Sequence, residues 1–458
     1  MFYGVYPALA SSVVLFGLCQ GIALAHANAG IDAIDAIGDR EGGLAGVETT
    51  IGYIRPADDG RFSWICHESV TQPDALITPQ YTENRDGTML VTIADLAQAR
   101  DEAEGIYRST DGCEWSTTSG LSNHKVASVH FDPLDPDRVA AVTNTAESGN
   151  GVFLSSDGGS TWIPIFEVGR GWIFTSVRFS ETPEQFLWAT SRTEDGRQHT
   201  VHRTNDDGRT WTHQPFEIDA PDDAEIQLSL LVADLEDSRT AWLAAGPFLD
   251  DTLYRTNDGG LSFEPVYRPQ AAIIDAAQAN DGSLWLTVSG NKVLHSTDGE
   301  TFKRIESAPL SIGVGAIDGR VMLATRIPSA GSALSECTAP DQCEPTPTFE
   351  LLEGPPVCPP DSQSSMACDP LWPSLERAIF GSTDTGDPGR VSAAPTETNA
   401  TKSKSATGCA SAHFTGRKRT TVLLVLFASV GILRRPTVKK KRPDEHRGAS
   451  KDGCGGRI

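Results

Sequence analysis

Short apolar runs separated by polar turns dominate the chain between residues 64 and 349. Examples are Val126 to Phe131, Val139 to Val142 and Ile173 to Phe179, and each run has the length of one β-strand. Helical heptads are absent, and Asp-Gly and Asn-Asp pairs punctuate the runs. Such punctuation is typical of turns between strands, so the pattern predicts an all-β fold.

One polar phrase closed by an aromatic side chain recurs seven times among these runs. The three full copies are residues 155–162, 204–211 and 256–263. Two copies, at residues 109–115 and 296–302, are shorter by one residue. The two degenerate copies are residues 59–64 and the stretch ending Thr348-Phe349. The closing aromatics recur every 39 to 52 residues, and about four strands fit into each step. We therefore expect a six- or seven-bladed β-propeller of four-stranded blades over residues 45–355.

Each residue type in the phrase has a structural reason to recur. Asp accepts backbone N–H groups of its own loop, Gly adopts positive φ, and Ser or Thr adds a second local acceptor. The aromatic buries apolar area between neighbouring sheets. The residues expected in these structural roles are Asp59, Trp64, Ser109, Asp111, Trp115, Ser155, Asp157, Gly159, Thr161, Trp162, Thr204, Asp206, Gly208, Thr210, Trp211, Thr256, Asp258, Gly260, Ser262, Phe263, Ser296, Asp298 and Phe302.

The phrase resembles the Asp-box, or BNR, repeat of sialidase-like and sortilin-like propellers. The resemblance implies that the boxes lie on the blade periphery, away from any substrate face. Sialidases also carry three substrate-binding arginines, a Tyr and Glu nucleophilic pair, and an Arg-Ile-Pro phrase in the first blade. Here residues 53–56 read Tyr-Ile-Arg-Pro, and Arg-Ile-Pro falls at residues 326–328, in the last repeats. We therefore do not expect a sialidase.

Both ends of the chain predict export. Residues 7–25 are apolar or small and end at Ala25-His26-Ala27, which predicts a signal peptide over residues 1–27. A short uncleaved anchor is the alternative. Residues 421–433 are apolar and are followed at once by Arg434-Arg435, a pattern that stops translocation with the basic side in the cytoplasm.

The C-terminal region divides into three segments by composition. Residues 381–416 are rich in Ser, Thr, Ala, Gly and Pro, which predicts a flexible stalk. Residues 420–435 form a predicted apolar helix, and residues 436–458 are a basic tail. With Cys409 upstream, this end resembles the MYXO-CTERM class of bacterial sorting signals, in which a Cys motif, an apolar helix and an Arg pair direct the protein to the cell surface. A plain membrane anchor is the alternative, and both place the propeller outside the cytoplasm.

Charge separates the tail from the rest of the chain. Residues 401–458 contain 14 Lys and Arg residues and 3 Asp and Glu residues. Residues 1–400 contain 24 Lys and Arg residues and 58 Asp and Glu residues. Nucleic acid requires a basic surface, so an acidic propeller argues against that partner. We expect a monomer that contacts the membrane through its C-terminal helix and binds an extracellular protein or glycan.

Six cysteines remain once the signal peptide and the tail are set aside. An even number outside the cytoplasm, without a CxxC pair or a His partner, predicts disulfides rather than a zinc site. Six cysteines allow 15 connectivities. The pairing that we expect joins Cys66 to Cys113, Cys337 to Cys343 and Cys358 to Cys368, with residues 356–380 as a Pro- and Cys-rich extension.

The sequence assigns no catalytic residue. His67-Glu68 could support acid and base chemistry, and the acidic loop from Asp132 to Asp137 could bind Ca²⁺, but a surface pair and a solvated turn are the simpler interpretations. We expect no other metal and no cofactor. Two functions stay open: a noncatalytic binding or scaffold propeller, or a secreted glycoside hydrolase. The hydrolase would use two carboxyl groups about 5–10 Å apart. Its candidate acids are the loop residues Asp95, Asp101, Glu194 and Glu225.

Overall fold

The chain folds into a seven-bladed β-propeller of four-stranded blades, within the predicted all-β class. The structure, a computed structural model, describes residues 32–39, 43–57, 59–70, 77–95, 105–122, 124–145, 149–218, 226–247, 249–325 and 332–380. The predicted signal peptide, stalk, C-terminal helix and basic tail lie outside these residues, together with Asp101, Glu225, Cys409, Arg434 and Arg435. No helix within the described residues is both long and apolar enough to cross a membrane.

Each blade is one antiparallel sheet whose strands follow the chain in order. Blade I holds β1 (Ala33–Asp39), β2 (Gly43–Thr49), β3 (Gly52–Pro56) and β4 (Phe62–Cys66); blade II holds β5 (Ile77–Glu83), β6 (Met89–Asp95), β7 (Ile106–Ser109) and β8 (Ser116–Thr117); blade III holds β9 (Val126–Asp132), β10 (Asp135–Thr143), β11 (Gly151–Ser155) and β12 (Ile163–Glu167); blade IV holds β13 (Trp172–Phe179), β14 (Leu187–Thr193), β15 (His199–Thr204) and β16 (Thr212–Phe216). Blade V holds β17 (Ile226–Ala233), β18 (Ala241–Pro247), β19 (Thr252–Thr256) and β20 (Glu264–Tyr267); blade VI holds β21 (Ile273–Gln278), β22 (Leu284–Val288), β23 (Lys292–Ser296) and β24 (Lys303–Arg304); blade VII holds β25 (Ser311–Ile317), β26 (Arg320–Thr325), β27 (Leu334–Ala339) and β28 (Gln342–Thr346).

The first strand of each blade lies nearest the axis of the ring. Each first strand contacts the first strand of the next blade, and β1 of blade I contacts β25 of blade VII, so the ring is closed. Apolar side chains fill the spaces between adjacent sheets; Trp285 and Val293 of blade VI, for example, pack against Leu323 of blade VII. The propeller begins at Ala33 rather than at the predicted residue 45, because β1 is needed to close the ring.

An extension after blade VII packs on the outside of blade I. It comprises β29 (Leu352–Gly354), α1 (Gln363–Cys368) and α2 (Trp372–Phe380), while a 3-10 turn (His67–Ser69) follows β4. Strand β29 pairs in parallel with β4, placing Leu352 opposite Phe62 as a fifth strand of blade I. The ring of Trp372 lies 6.0 Å from that of Trp64, so α2 adds apolar area to the junction of the first and last blades.

Two of the three expected disulfide pairings are wrong. All six cysteines are paired, but Cys66 is bonded to Cys368 and Cys113 to Cys358, whereas Cys337 and Cys343 are bonded as predicted. The reason is the course of the extension, which follows the outer edges of blades I and II. There the Ser364 amide donates to the Cys113 carbonyl, at 3.1 Å. Cys66 of blade I and Cys113 of blade II are therefore each bonded to a cysteine of the extension rather than to one another.

The seventh copy of the phrase does not occupy the position of the other six. In blade VII the turn between the third and fourth strands consists of Pro340 and Asp341, and the disulfide Cys337–Cys343 closes it. Phe349 follows β28 and is buried between blades VII and I. Blade VII thus replaces the long polar turn with a short disulfide-closed hairpin.

Candidate functional site

The polar turns of blades II to VI lie between the third and fourth strands, and each is built around one aspartate. In blade III the backbone amide and the hydroxyl of Thr161 donate to Asp157, at 2.9 and 2.6 Å, and Ser155 Oγ donates at 2.8 Å. Blade IV repeats this with Thr210 and Asp206. The Thr210 hydroxyl and amide favour the charged carboxylate, so the pKa of Asp206 is lowered to about 2. The carboxylates of these aspartates therefore accept hydrogen bonds within their own turns and stabilise them.

Two carboxyl groups on the innermost strands have a raised pKa. They are Asp35 of β1 and Asp275 of β21, and both interact electrostatically with Arg178 of β13. Burial raises the pKa of Asp35 well above its ordinary value, and the neighbouring carboxyls of Asp275 and Glu48 raise it further. Burial also raises the pKa of Asp275, against the opposing effects of the Val314 amide and Arg178. A carboxyl group held in its protonated form could act as a general acid.

Hydrogen bonds to the next blade occupy most of these central groups. Asp275 accepts the amides of Ala276 and Val314, each at 2.8 Å. Glu48 accepts the Tyr81 amide at 3.2 Å, in the same role between blades I and II. The Ala276 amide belongs to the same strand as Asp275. The Val314 and Tyr81 amides belong to the first strands of the next blades, so these two hydrogen bonds connect adjacent sheets.

His130 makes the same kind of connection between blades III and IV. Its Nδ1 accepts the Phe179 amide at 3.4 Å. Burial lowers the pKa of His130 to about 3, and the positive charge of Arg178 adds to this effect. A neutral imidazole is the form that can accept a hydrogen bond at Nδ1.

A serine and two histidines of blade IV are aligned like a nucleophile, its base and an orienting group. Ser191 Oγ lies 2.7 Å from His202 Nε2, and His202 Nδ1 lies 2.8 Å from His213 Nδ1. Ser191 is 0% exposed and His202 is 4% exposed, while burial lowers the pKa of His202 to about 3. Substrate cannot reach this serine, so the three residues are interior hydrogen-bonding groups. Their equal spacing over three consecutive strands is the sequence signal that would have revealed them.

An open cleft of about 690 Å³ lies between blades VI and VII. Its lining consists of the turn and fourth strand of blade VI together with the hairpin turn of blade VII: His295, Ser296, Thr297, Asp298, Thr301, Lys303, Arg304, Ile305, Glu306, Ser307, Pro340 and Asp341. Lys303 and Arg304 form all of β24 and are exposed. Sequence reasoning missed this cleft, because it arises from the difference between the seventh repeat and the others.

Among the described residues, the sequence-predicted catalytic candidates lie in three different blades. Asp95 ends β6 in blade II, whereas Glu194 is exposed after β14 in blade IV. His67 lies in the 3-10 turn after β4, with its Nδ1 3.5 Å from the hydroxyl of Tyr81, and Glu68 is exposed beside it. The sequence-predicted acids that the structure describes thus belong to different blades.

The acidic loop that was a candidate for Ca²⁺ is held by other contacts. Asp132 accepts the Leu134 amide at 2.8 Å and forms an ion pair with Arg138 at 2.7 Å. Asp135 accepts the Asp137 amide. Across the described part of the chain, no group of three or more His, Cys, Asp and Glu side chains is placed to hold a metal ion.

Comparison with known proteins gives likeness of fold only. No protein-family model and no curated protein matches the chain. Among solved structures, an ancestral GH74 enzyme is 16% identical over 55% of this chain and 34% of its own, with a TM-score of 0.39. YCF48 bound to D1 peptide is 18% identical over 48% and 66%, with a TM-score of 0.33. Prolyl oligopeptidase B from Galerina marginata, bound to a 35mer hydrolysis and macrocyclization substrate, is 9% identical over 70% and 50%, with a TM-score of 0.43.

This chain thus spans between 34% and 66% of the lengths of these three structures. At such identities and scores they assign no activity to it. What the described residues establish is a closed seven-bladed propeller with three disulfides and with an open cleft between blades VI and VII.

Proposed function

We propose that this chain is an exported cell-surface propeller that binds a protein or glycan ligand without changing it chemically. The cleft between blades VI and VII carries the proposal, because it is a concave, solvent-open surface with exposed Lys303 and Arg304 in its wall. The repeated turns are, in this proposal, Asp boxes of the sialidase-like and sortilin-like type. They supply the platform, and the ligand contacts the cleft.

Export is part of the proposal and is supported by two features of the chain. Three disulfides join described segments, two of them over 302 and 245 residues, and such bonds persist outside the cytoplasm. Residues 1–400 are strongly acidic, which suits a solvated extracellular domain. A cleavable N-terminal signal and a C-terminal sorting signal at Cys409, Arg434 and Arg435 complete this route.

A secreted glycoside hydrolase is the second candidate, and the interacting pair of Asp35 and Asp275 favours it. Glycoside hydrolysis needs a protonated carboxyl group beside a charged one, and burial raises the pKa of both. Binding without hydrolysis is the stronger proposal because Asp275 already accepts two backbone amides. The Val314 amide belongs to the next blade, so Asp275 already has a structural role at the contact between blades VI and VII.

The test exposes the full-length chain to an array of bacterial and host glycans and to a panel of purified cell-envelope proteins. Bound ligands are measured by surface plasmon resonance, and products are measured by mass spectrometry. We expect saturable binding of at least one ligand without product. Release of a product that stops in the Asp35→Asn or Asp275→Asn variant would establish the hydrolase instead. Absence of binding throughout both panels would contradict the proposal.

A further inference from the structure

The two long disulfides are nested in the sequence, and each joins an early cysteine to a late one. Cys66 is bonded to Cys368 and Cys113 to Cys358, over 302 and 245 residues. Neither bond joins two cysteines that follow one another along the chain. Both late partners belong to the extension after blade VII, so blades I and II are synthesised long before the partners of their cysteines.

Cys66 and Cys113 are placed to bond to each other during this interval. They are 47 residues apart, whereas Cys66 and Cys368 are 302 residues apart. Because the probability of loop closure falls with about the three-halves power of loop length, Cys113 is favoured over Cys368 about 16-fold. The residues before the two cysteines also pack together, since a Cβ atom on Gly112 would lie 2.8 Å from Ile65 Cδ1. The two cysteines are therefore neighbours of contacting residues in the folded blades.

The interval is long enough for this bond to form. Synthesis at about 5–20 residues per second takes about 12–50 s to cover the 245 residues from Cys113 to Cys358. Disulfides form on a timescale of seconds or longer in an oxidising compartment, so the two processes overlap. Once Cys66 and Cys113 are joined, Cys358 and Cys368 are left to pair with each other. The first product then holds consecutive pairs instead of nested ones.

The contacts of the extension favour the nested pairs over this product. The Cys66 amide lies 3.1 Å from Cys368 Sγ, and the Ser364 amide donates to the Cys113 carbonyl at 3.1 Å. Helix α1 lies between two attachments, with Cys358 before it bonded to blade II and Cys368 at its end bonded to blade I. A bond between Cys358 and Cys368 removes both attachments, so exchange of the pairs runs toward the native connectivity.

We propose that this chain is a substrate of a thiol–disulfide isomerase, which converts the consecutive pairs into the nested ones. The proposal rests on the export in the function proposed above and is independent of the ligand. A thiolate of the isomerase attacks the Cys66 sulfur, forms a mixed disulfide and releases the Cys113 thiolate. That thiolate attacks Cys358 and releases the Cys368 thiolate, which attacks Cys66 and frees the isomerase. Two protein disulfides exist before and after the exchange, so no oxidant is consumed.

The test follows oxidation of the full-length chain, which is reduced in denaturant and diluted into buffer with diamide, an oxidant that adds no thiol. Every sample carries Cys19→Ser, Cys409→Ser and Cys454→Ser. Thiols are blocked with iodoacetamide, and disulfides are mapped by mass spectrometry. We expect the Cys66–Cys113 bond to form first and to exceed Cys66–Cys368 at least tenfold. A reduced bacterial disulfide isomerase should then produce the native pairs at least tenfold faster than an equal concentration of a monothiol.

Two variants make the test specific. Cys358→Ser with Cys368→Ser removes the late partners, so Cys66 and Cys113 should form their bond and keep it in the presence of the isomerase. Free thiols at Cys66 and Cys113 in this variant, or native pairs that form first in the parent chain under diamide, would overturn the proposal. The control has Ser at both positions of the local disulfide Cys337–Cys343 and should form its bonds in the same order as the parent chain. Failure of ligand binding in the panels above, with isomerisation as expected, would remove the proposed function alone.

Discussion

Arg255 of blade V reaches Glu300 in the turn of blade VI, with 3.1 Å between Arg255 Nη2 and Glu300 Oε1. The same guanidinium lies 3.2 Å from Glu264 in its own blade. Both carboxylates are more than half exposed, and ion pairs in that setting contribute little to stability. The contact therefore orients the turn, while the stability of the junction comes from the glycines and aromatics that pack beneath it.

Substitution of Gly159 tests how much the packing of a turn glycine contributes to the stability of the junction between blades. Its φ is +85°, and a Cβ atom there would lie 2.8 Å from Leu90 of blade II. Leu90 is fully buried among the apolar side chains between blades II and III. We expect Gly159→Ala to lower the free energy of unfolding by about 2–4 kcal/mol, combining the left-handed backbone penalty with overpacking. Urea denaturation of the full-length chain measures the loss.

Gly171→Ala is the matched control for that variant. Its φ is +82°, and no atom lies within 4 Å of the added Cβ. The Gly171→Ala variant should lose only about 1–2 kcal/mol of the free energy of unfolding, which is the cost of the left-handed backbone conformation. Equal losses in the two variants would show that the contact with Leu90 contributes nothing to the junction.

The sequence predicted the propeller because the chemistry of its turns is local. Asp157, Gly159 and Thr161 lie within one short stretch, and their hydrogen bonds can be inferred from residue type alone. The spacing of the aromatics then limited each repeat to about four strands. No tertiary information was needed for either step.

The disulfide pairing, the central carboxyl groups and the cleft could not be predicted, because each depends on contacts between residues that are far apart in the sequence. Cys66 and Cys368 are 302 residues apart, so their pairing follows from the path of the extension. Asp35 and Asp275 occupy ordinary strand positions, and only closure of the ring places both of them near Arg178. The cleft at blade VI results from the substitution of a short hairpin for a turn. Each of these features is a relation between distant blades.

The two long-range disulfides should stabilise the ring more than the local one. In the chain-entropy model, a bond that closes 302 residues contributes about 6 kcal/mol, against about 2 kcal/mol for one that closes 6 residues. We expect Cys66→Ser with Cys368→Ser to lower the unfolding midpoint in urea strongly. Cys337→Ser with Cys343→Ser is the control and should lower it less. The opposite order would contradict the assigned role of the extension.

Glu48→Gln should remove a pH dependence of stability. Burial raises the pKa of Glu48 from 4.5 to about 7. Between pH 4.5 and about pH 7 the unfolded chain has released the proton of Glu48 and the folded chain has not. The contribution of Glu48 to the free energy of unfolding therefore falls as pH rises. Gln can still accept the Tyr81 amide. We expect the variant to gain about 3 kcal/mol relative to the native chain between pH 4 and pH 8, measured by urea denaturation. Glu236→Gln, at an exposed position, is the control and should run parallel to the native chain.

His130→Asn should change stability in the acid range. The pKa of His130 is lowered by burial and by Arg178 to about 3, against an ordinary value of 6.5. Below pH 6.5 the unfolded chain binds a proton that the folded chain does not take up until about pH 3, so the native chain loses stability as pH falls. Asn retains an acceptor for the Phe179 amide but does not titrate. Between pH 6 and pH 4 the variant should lose about 1.4 kcal/mol less per pH unit than the native chain, as measured by urea unfolding at each pH. Parallel losses would mean that His130 is protonated in the folded ring, and that its Nδ1 does not hold blade IV to blade III.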